Sequence, residues 1–65
     1  SGSKICVDAN GWHIWTNTQG HLIVNGPTQE TRYLNFSTID DGITWLIMTG
    51  RKEIARFVNK AKHEA

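Results

Sequence analysis

Between residues 5 and 24 apolar and polar side chains alternate, and Asn- and Gly-containing turns interrupt the alternation twice. That is the pattern of half-buried antiparallel strands. In Ala9-Asn10-Gly11-Trp12 the Asn-Gly pair accepts the positive φ values of a type I′ turn, predicting a hairpin with Ala9 opposite Trp12, Asp8 opposite His13 and Val7 opposite Ile14. In Asn17-Thr18-Gln19-Gly20 a type I turn with Gly20 left-handed predicts a bulged hairpin pairing Trp15 with Ile23 and Ile14 with Val24. Both registers put Ile5, Val7, Trp12, Ile14, Leu22 and Val24 on one face, the expected core face. A slip of one residue would bury His13 or His21 instead, which argues against other turn choices.

After Val24 the pattern changes. Residues 26–31, Gly-Pro-Thr-Gln-Glu-Thr, read as a loop, because Pro27 cannot donate to a ladder and Gly26 ends the apolar run. A fourth strand is expected over residues 32–36, with Leu34 and Phe36 on the core face and Tyr33 and Asn35 on the other. Ser37-Thr38-Ile39-Asp40 reads as a capping box, with Ser37 as N-cap and Asp40 reaching back. The helix it opens buries Ile39, Ile43, Leu46 and Ile47 and stops at Gly50. Gly42 inside it implies a close backbone approach or a local bend. A second helix over residues 51–64 buries Ile54, Phe57, Val58 and Ala61 at the same spacing. The predicted fold class is α+β: a three- or four-stranded antiparallel β-meander packed on one face by a C-terminal αα-hairpin.

Composition narrows the class without changing this picture. Sixty-five residues, 38% hydrophobic and 20% charged, suit one small globular domain and exclude a large enzyme, a disordered tail or a membrane span. Residues 4–65 are read as that domain, and Ser1-Gly2-Ser3 as a tag remnant. A lone Cys6 has no internal disulfide partner, and small domains in oxidising compartments are usually rich in such bridges, so a cytoplasmic location is expected.

The formal charge of +1 hides an asymmetry. Residues 1–50 carry Lys4 and Arg32 against Asp8, Glu30, Asp40 and Asp41, a net of −2. Residues 51–65 carry Arg51, Lys52, Arg56, Lys60 and Lys62 against Glu53 and Glu64, a net of +3. Lys52, Arg56 and Lys60 recur every four residues along the last helix, with Asn59 and His63 beside them. Like charges at that spacing repel, so a phosphate backbone or an acidic protein surface would reward the row. Cations near a helix C-terminus also favour the macrodipole without any ligand.

The sheet face left over once the core is assigned holds Cys6, His13, Trp15, His21, Ile23 and Tyr33. A sheet covered on one side should be polar on the other, and here Trp15 pairs with Ile23 next to Tyr33. An aromatic and apolar patch of this kind suits a protein partner or a homodimer, and its rings would also stack bases. The opposing reading folds a loop or the tail over these residues as a second small core.

Other chemistry is less well supplied. Cys6, His13 and Asp8 share a face and superficially offer nucleophile, base and orienting acid, but nothing provides an oxyanion site or a pocket. No Gly-rich phosphate loop is present. Cys6, His13 and His21 lack a recognised metal-ligand spacing and give at most three donors. Thr49-Gly50 resembles the turn of a helix-turn-helix, yet that register demands an apolar residue where Arg56 or Asn59 falls. No enzyme, cofactor, metal site or membrane contact is therefore expected.

Thr38-Ile39-Asp40-Asp41, Trp45-Leu46, Gly50, Ala55-Arg56 and Asn59 together resemble a pattern in small accessory proteins encoded by bacteriophages and prophages of enteric bacteria. The resemblance covers about the last 28 residues. It implies a regulatory or host-interacting role, such as sequestering a bacterial enzyme or transcription factor. Those proteins share no single activity, so no site residue follows from it. The expectation is a non-enzymatic binding module, a small regulator or inhibitor docking on a bacterial host protein through Trp15, Ile23, Tyr33 and His13. The alternative is a nucleic-acid-binding protein using the sheet aromatics and the basic row Lys52, Arg56 and Lys60.

Overall fold

Asn10 and Gly11 turn β1 (Cys6–Ala9) into β2 (Trp12–Thr16) in the computed structural model, which describes residues 4–65. The tag-remnant reading of residues 1–3 lies outside the described residues. Both turn residues adopt positive φ, 53° and 84°, as a type I′ hairpin requires. The register pairs Val7 with Ile14, Asp8 with His13 and Ala9 with Trp12, as the alternation predicts. At the second turn Gly20 is left-handed with φ 83°. The Asn17 carboxamide oxygen accepts from the amides of Gln19 and His21 at 2.9 Å each and holds the loop closed. β3 (Leu22–Asn25) then pairs Trp15 with Ile23 and Ile14 with Val24.

The segment read as a plain loop contains a short 3-10 helix, Gln29–Thr31. Thr31 is buried and fully used: its hydroxyl donates to the Thr28 carbonyl at 2.8 Å and accepts from the Thr28 amide at 3.1 Å, and its own carbonyl accepts from the Gly26 amide at 2.7 Å. Gly26 is required by proximity. A Cβ there would lie 2.3 Å from Thr31 Oγ1 and 2.7 Å from the Trp12 ring.

The fourth strand is shorter than expected. β4 spans Leu34–Phe36 and pairs with β3 as the outer strand of a four-stranded meander ordered β1-β2-β3-β4. Tyr33 was expected inside it and is not. Its backbone is left-handed, φ 53°, which ends the ladder, and its amide donates to the Asn25 side chain at 3.3 Å.

Helix α1 (Ile39–Met48) begins one residue later than the capping box predicts. Thr38, not Ser37, is the N-cap, and its hydroxyl accepts from the Asp41 amide at 3.1 Å. Thr38-Ile39-Asp40-Asp41 has the same spacing as Ser37-Thr38-Ile39-Asp40, so the sequence contains two overlapping boxes and the chain uses the second. Asp40 does not reach back to the cap; it accepts from Lys62 at 2.6 Å. The helix ends in a Schellman arrangement. Gly50, φ 84°, donates to the Ile47 carbonyl at 3.0 Å and Arg51 to the Leu46 carbonyl at 2.8 Å.

α2 (Lys52–Glu64) runs back and packs on both α1 and β1. Its buried stripe is centred on Ile54, Ala55 and Val58, because it faces two neighbours rather than one. Phe57, expected in the core, is 37% exposed on the flank, and Ile47 of α1 is 47% exposed. The core is otherwise as expected: Ile5, Val7, Trp12, Ile14, Leu22 and Val24 from the sheet meet Leu46, Ile54, Ala55 and Val58 from the helices. Gly42 answers to close approach, since a Cβ there would lie 2.4 Å from Leu22 Cδ2. The architecture is thus an antiparallel α+β meander with both helices on one face. No helix among the described residues is long and apolar enough to cross a membrane.

Candidate functional site

With Val7, Ile14, Leu22 and Val24 turned to the helices, strand alternation turns Cys6, Asp8, His13, Trp15, Ile23 and Asn35 to the opposite face. Trp15 stands between Cys6 on β1 and Ile23 on β3, and Ile23 is followed across the sheet by Asn35. The His13 ring lies 4.8 Å from that of Trp15, centroid to centroid, tilted by 43°. Trp15 and Ile23 are half-buried, and Tyr33, beyond the ladder, is 70% exposed. The structure therefore brings His13, Trp15 and Ile23 together and leaves Tyr33 beside the β3–β4 end of the patch.

Polar groups frame this patch. Asp8 and His13, cross-strand partners, are joined through Asp8 Oδ1 and His13 Nδ1. The Cys6 thiol lies 4.0 Å from the other carboxylate oxygen of Asp8. His21 is tied to Asn35, Nδ1 to Oδ1 at 3.0 Å, and stays apart from the Cys6, Asp8 and His13 group. The C-terminal tail does not supply the second core of the opposing reading: as helix α2 it packs on α1 and β1 and puts Ile54, Ala55 and Val58 into the main core.

Lys52, Arg56 and Lys60 are all exposed on the side of α2 turned from Ile54 and Val58. Lys52 and Arg56 line a cleft of about 550 Å³ with Ile43, Ile47, Ala55 and Asn59. The basic row and the aromatic patch consequently lie on opposite layers of the molecule, as helices packed on the core face of the sheet imply.

One basic residue has a different office. The Arg51 guanidinium lies 5.3 Å from the centroids of both the Trp12 and the Trp45 rings, bridging the first hairpin and α1 at the point where α2 begins. The sequence counts Arg51 with the C-terminal cations and carries no signal of this clamp. Glu30 sits in its field. The Thr28 hydroxyl, then the local backbone amide and more weakly the Arg51 charge hold the Glu30 carboxyl below its ordinary range.

No protein-family model, curated protein or solved structure matches this chain.

Proposed function

We propose that the chain is a non-enzymatic binding module, a small regulator or inhibitor that docks on a partner protein through the sheet face carrying His13, Trp15 and Ile23, with Tyr33 at its margin. The observation that supports this reading is the cross-strand pair Trp15 and Ile23 on the face away from both helices. In a chain this short nearly every apolar side chain is needed for the core, so a Trp and an Ile placed outside it point to a surface that is covered on binding. The Trp offers a large, rigid contact area, and the His13 ring packs beside it. Lys52, Arg56 and Lys60, on the other layer, act by steering an acidic partner rather than by contact at the patch. A bacterial host factor in the cytoplasm is the partner class that the phage-type resemblance suggests.

The test is affinity capture from a bacterial lysate with the wild-type chain, Trp15→Ala and Arg56→Glu, all shown to be folded by circular dichroism. A protein retained by the wild type and Arg56→Glu but lost with Trp15→Ala supports the reading. Equal capture by all three sinks it.

The exposed row Lys52, Arg56 and Lys60 favours a second reading, nucleic-acid binding. Intrinsic Trp fluorescence is titrated with mixed single- and double-stranded nucleic acid at about 50 and about 200 mM salt, where phosphate-driven binding differs greatly. A saturable, strongly salt-sensitive change that Arg56→Glu weakens for all sequences alike would replace the docking reading. Concentration-dependent sedimentation abolished by Trp15→Ala would instead make the partner a second copy of the chain.

A further inference from the structure

We propose that Cys6, Asp8 and His13 form a binding site for a single transition-metal ion of the Zn²⁺ class, with three protein donors and a fourth position open to water. This goes beyond the docking reading and does not depend on it.

The sequence alone discourages a metal site, because Cys6, His13 and His21 match no familiar ligand spacing, and in the structure His21 pairs with Asn35 instead. The hairpin register supplies what spacing does not. Asp8 and His13 are direct cross-strand partners, and Cys6, two residues before Asp8, projects from the same face of β1. One ligand atom from each, the thiol sulfur, a carboxylate oxygen and an imidazole nitrogen, all lie within 4.8 Å of one another. Tetrahedral zinc holds sulfur at about 2.3 Å and nitrogen and oxygen at about 2.0–2.2 Å, which places neighbouring donors roughly 3.3–3.8 Å apart. Reaching that spacing takes rotation of the three exposed side chains, the Asp8 and His13 donors moving apart and the Cys6 sulfur moving in, while the strand pair holds the three Cα positions.

Donor chemistry decides which ion. A thiolate with an imidazole selects Zn²⁺, Co²⁺ or another borderline-soft cation over Mg²⁺ or Ca²⁺, which prefer all-oxygen cages. On binding, Sγ of Cys6 forms the metal–sulfur bond and its proton leaves to solvent; ionised Asp8 ligates through a carboxylate oxygen and neutral His13 through whichever ring nitrogen does not carry its proton, so the hydrogen bond between them gives way to the bonds to the metal. The hydrogen bond that now joins Asp8 to His13 holds the two donors side by side before any ion arrives. The side chains of His13 and Asp8 are 47% and 67% exposed, so the ion has an entry path and the fourth position faces solvent.

The test is a titration of the full, freshly reduced chain with CoCl₂, followed by displacement with ZnCl₂. A thiolate-to-cobalt charge-transfer absorption is expected to saturate at one ion per chain and to vanish on adding Zn²⁺. Cys6→Ser should abolish the band, and Asp8→Asn and His13→Gln should each weaken Co²⁺ binding by at least about tenfold, the loss typical even of residues that only support a metal ligand. All three positions are exposed, so each variant should keep its fold, with circular dichroism as the control. Absence of the band overturns the proposal. So does unchanged affinity in either Asp8→Asn or His13→Gln, which would mean a thiol acting without that donor, and so does saturation at one ion per two chains, which would mean a site shared between copies.

Discussion

Ile14 and Trp15 are neighbours on β2, yet Ile14 is fully buried beneath two helices while Trp15 stands half-buried on the opposite face across from Ile23. The inner face is redundant: Ile14, Leu22 and Val24 meet Leu46 and Val58, and each buried side chain supports several others. Among the described residues the outer face has one aromatic contact, His13 on Trp15, and a frame of hydrogen-bonding groups. Two surfaces of one sheet thus divide the work. The first holds the fold and the second is left available for something outside it.

The largest effect expected from breaking this contrast is at Ile14. Truncation to Ala removes a fully buried side chain and leaves a cavity, at a cost of about 2–5 kcal/mol. A domain of this size has roughly 3–5 kcal/mol of core stabilisation to lose, so Ile14→Ala should forfeit half of its stability or more and have the lowest urea midpoint of these variants. Urea denaturation followed by circular dichroism checks this. A loss below about 1 kcal/mol, less than large-to-small core substitutions cost, would mean that the helix-covered face is not the core.

Next in size is Gly26→Ala, which adds a methyl group rather than removing one. Its Cβ would meet Thr31 Oγ1 at 2.3 Å, Thr31 Cβ at 2.6 Å and Trp12 at 2.7 Å, and both residues are buried, so neither side chain can swing away. Overpacking of this kind costs about 1–3 kcal/mol. Gly42→Ala is the informative comparison. There the clash is with Leu22 Cδ2, the far end of one side chain, and Ala gains about 1 kcal/mol of helix propensity over Gly, so the two denaturation midpoints should fall in the order Gly26→Ala below Gly42→Ala.

These substitutions also show where the sequence was legible. Both hairpin registers could be read because Asn10-Gly11 and Gly20 fix the turns and a one-residue slip would have exposed the whole apolar set. The patch residues His13, Trp15 and Ile23 followed directly from that register. Alternation places Tyr33 inside the fourth strand, whereas its left-handed backbone, with its amide donating to the Asn25 side chain, carries no local signal in the sequence. The N-cap slipped by one residue because Ser37 and Thr38 are equally good caps with equally spaced acids. Phe57 was assigned to the core because spacing along a helix gives a stripe but not its centre, which two neighbours set together. Gly26 was read as a breaker when its role is to let Thr31 and Trp12 approach.

Arg51 tests the rim between the two layers. Replacing it with Met keeps an unbranched, apolar stem but removes the charge held 5.3 Å from two indole rings. A cation–π contact contributes about 0.5–1 kcal/mol at exposed sites and about 2 kcal/mol when desolvated, so Arg51→Met should cost about 1–2 kcal/mol, between the core variants and any change on the outer face. The fluorescence of Trp12 and Trp45 should change with it, while capture through Trp15 should not. A variant as stable as the wild type would mean that the clamp is a consequence of the helix turn at Gly50 rather than a support of it.

The smallest expected effect on the fold is the one that matters most for function. Trp15→Ala removes a side chain whose partners are cross-strand neighbours on an open face, and such pairs contribute about 0.2–1 kcal/mol each. The denaturation midpoint should therefore move far less than for Ile14→Ala, one residue away. If the outer face serves only the fold, partner capture should follow stability, so that Trp15→Ala binds nearly as well as the wild type and less well only in proportion to its unfolded fraction. If it is a docking surface, capture should collapse while the fold stays intact, because a large aromatic in the middle of a patch carries a disproportionate share of binding. Measuring both quantities on the same preparation separates the alternatives, since no loss of fold of about 1 kcal/mol can empty a binding site in a chain that remains mostly folded.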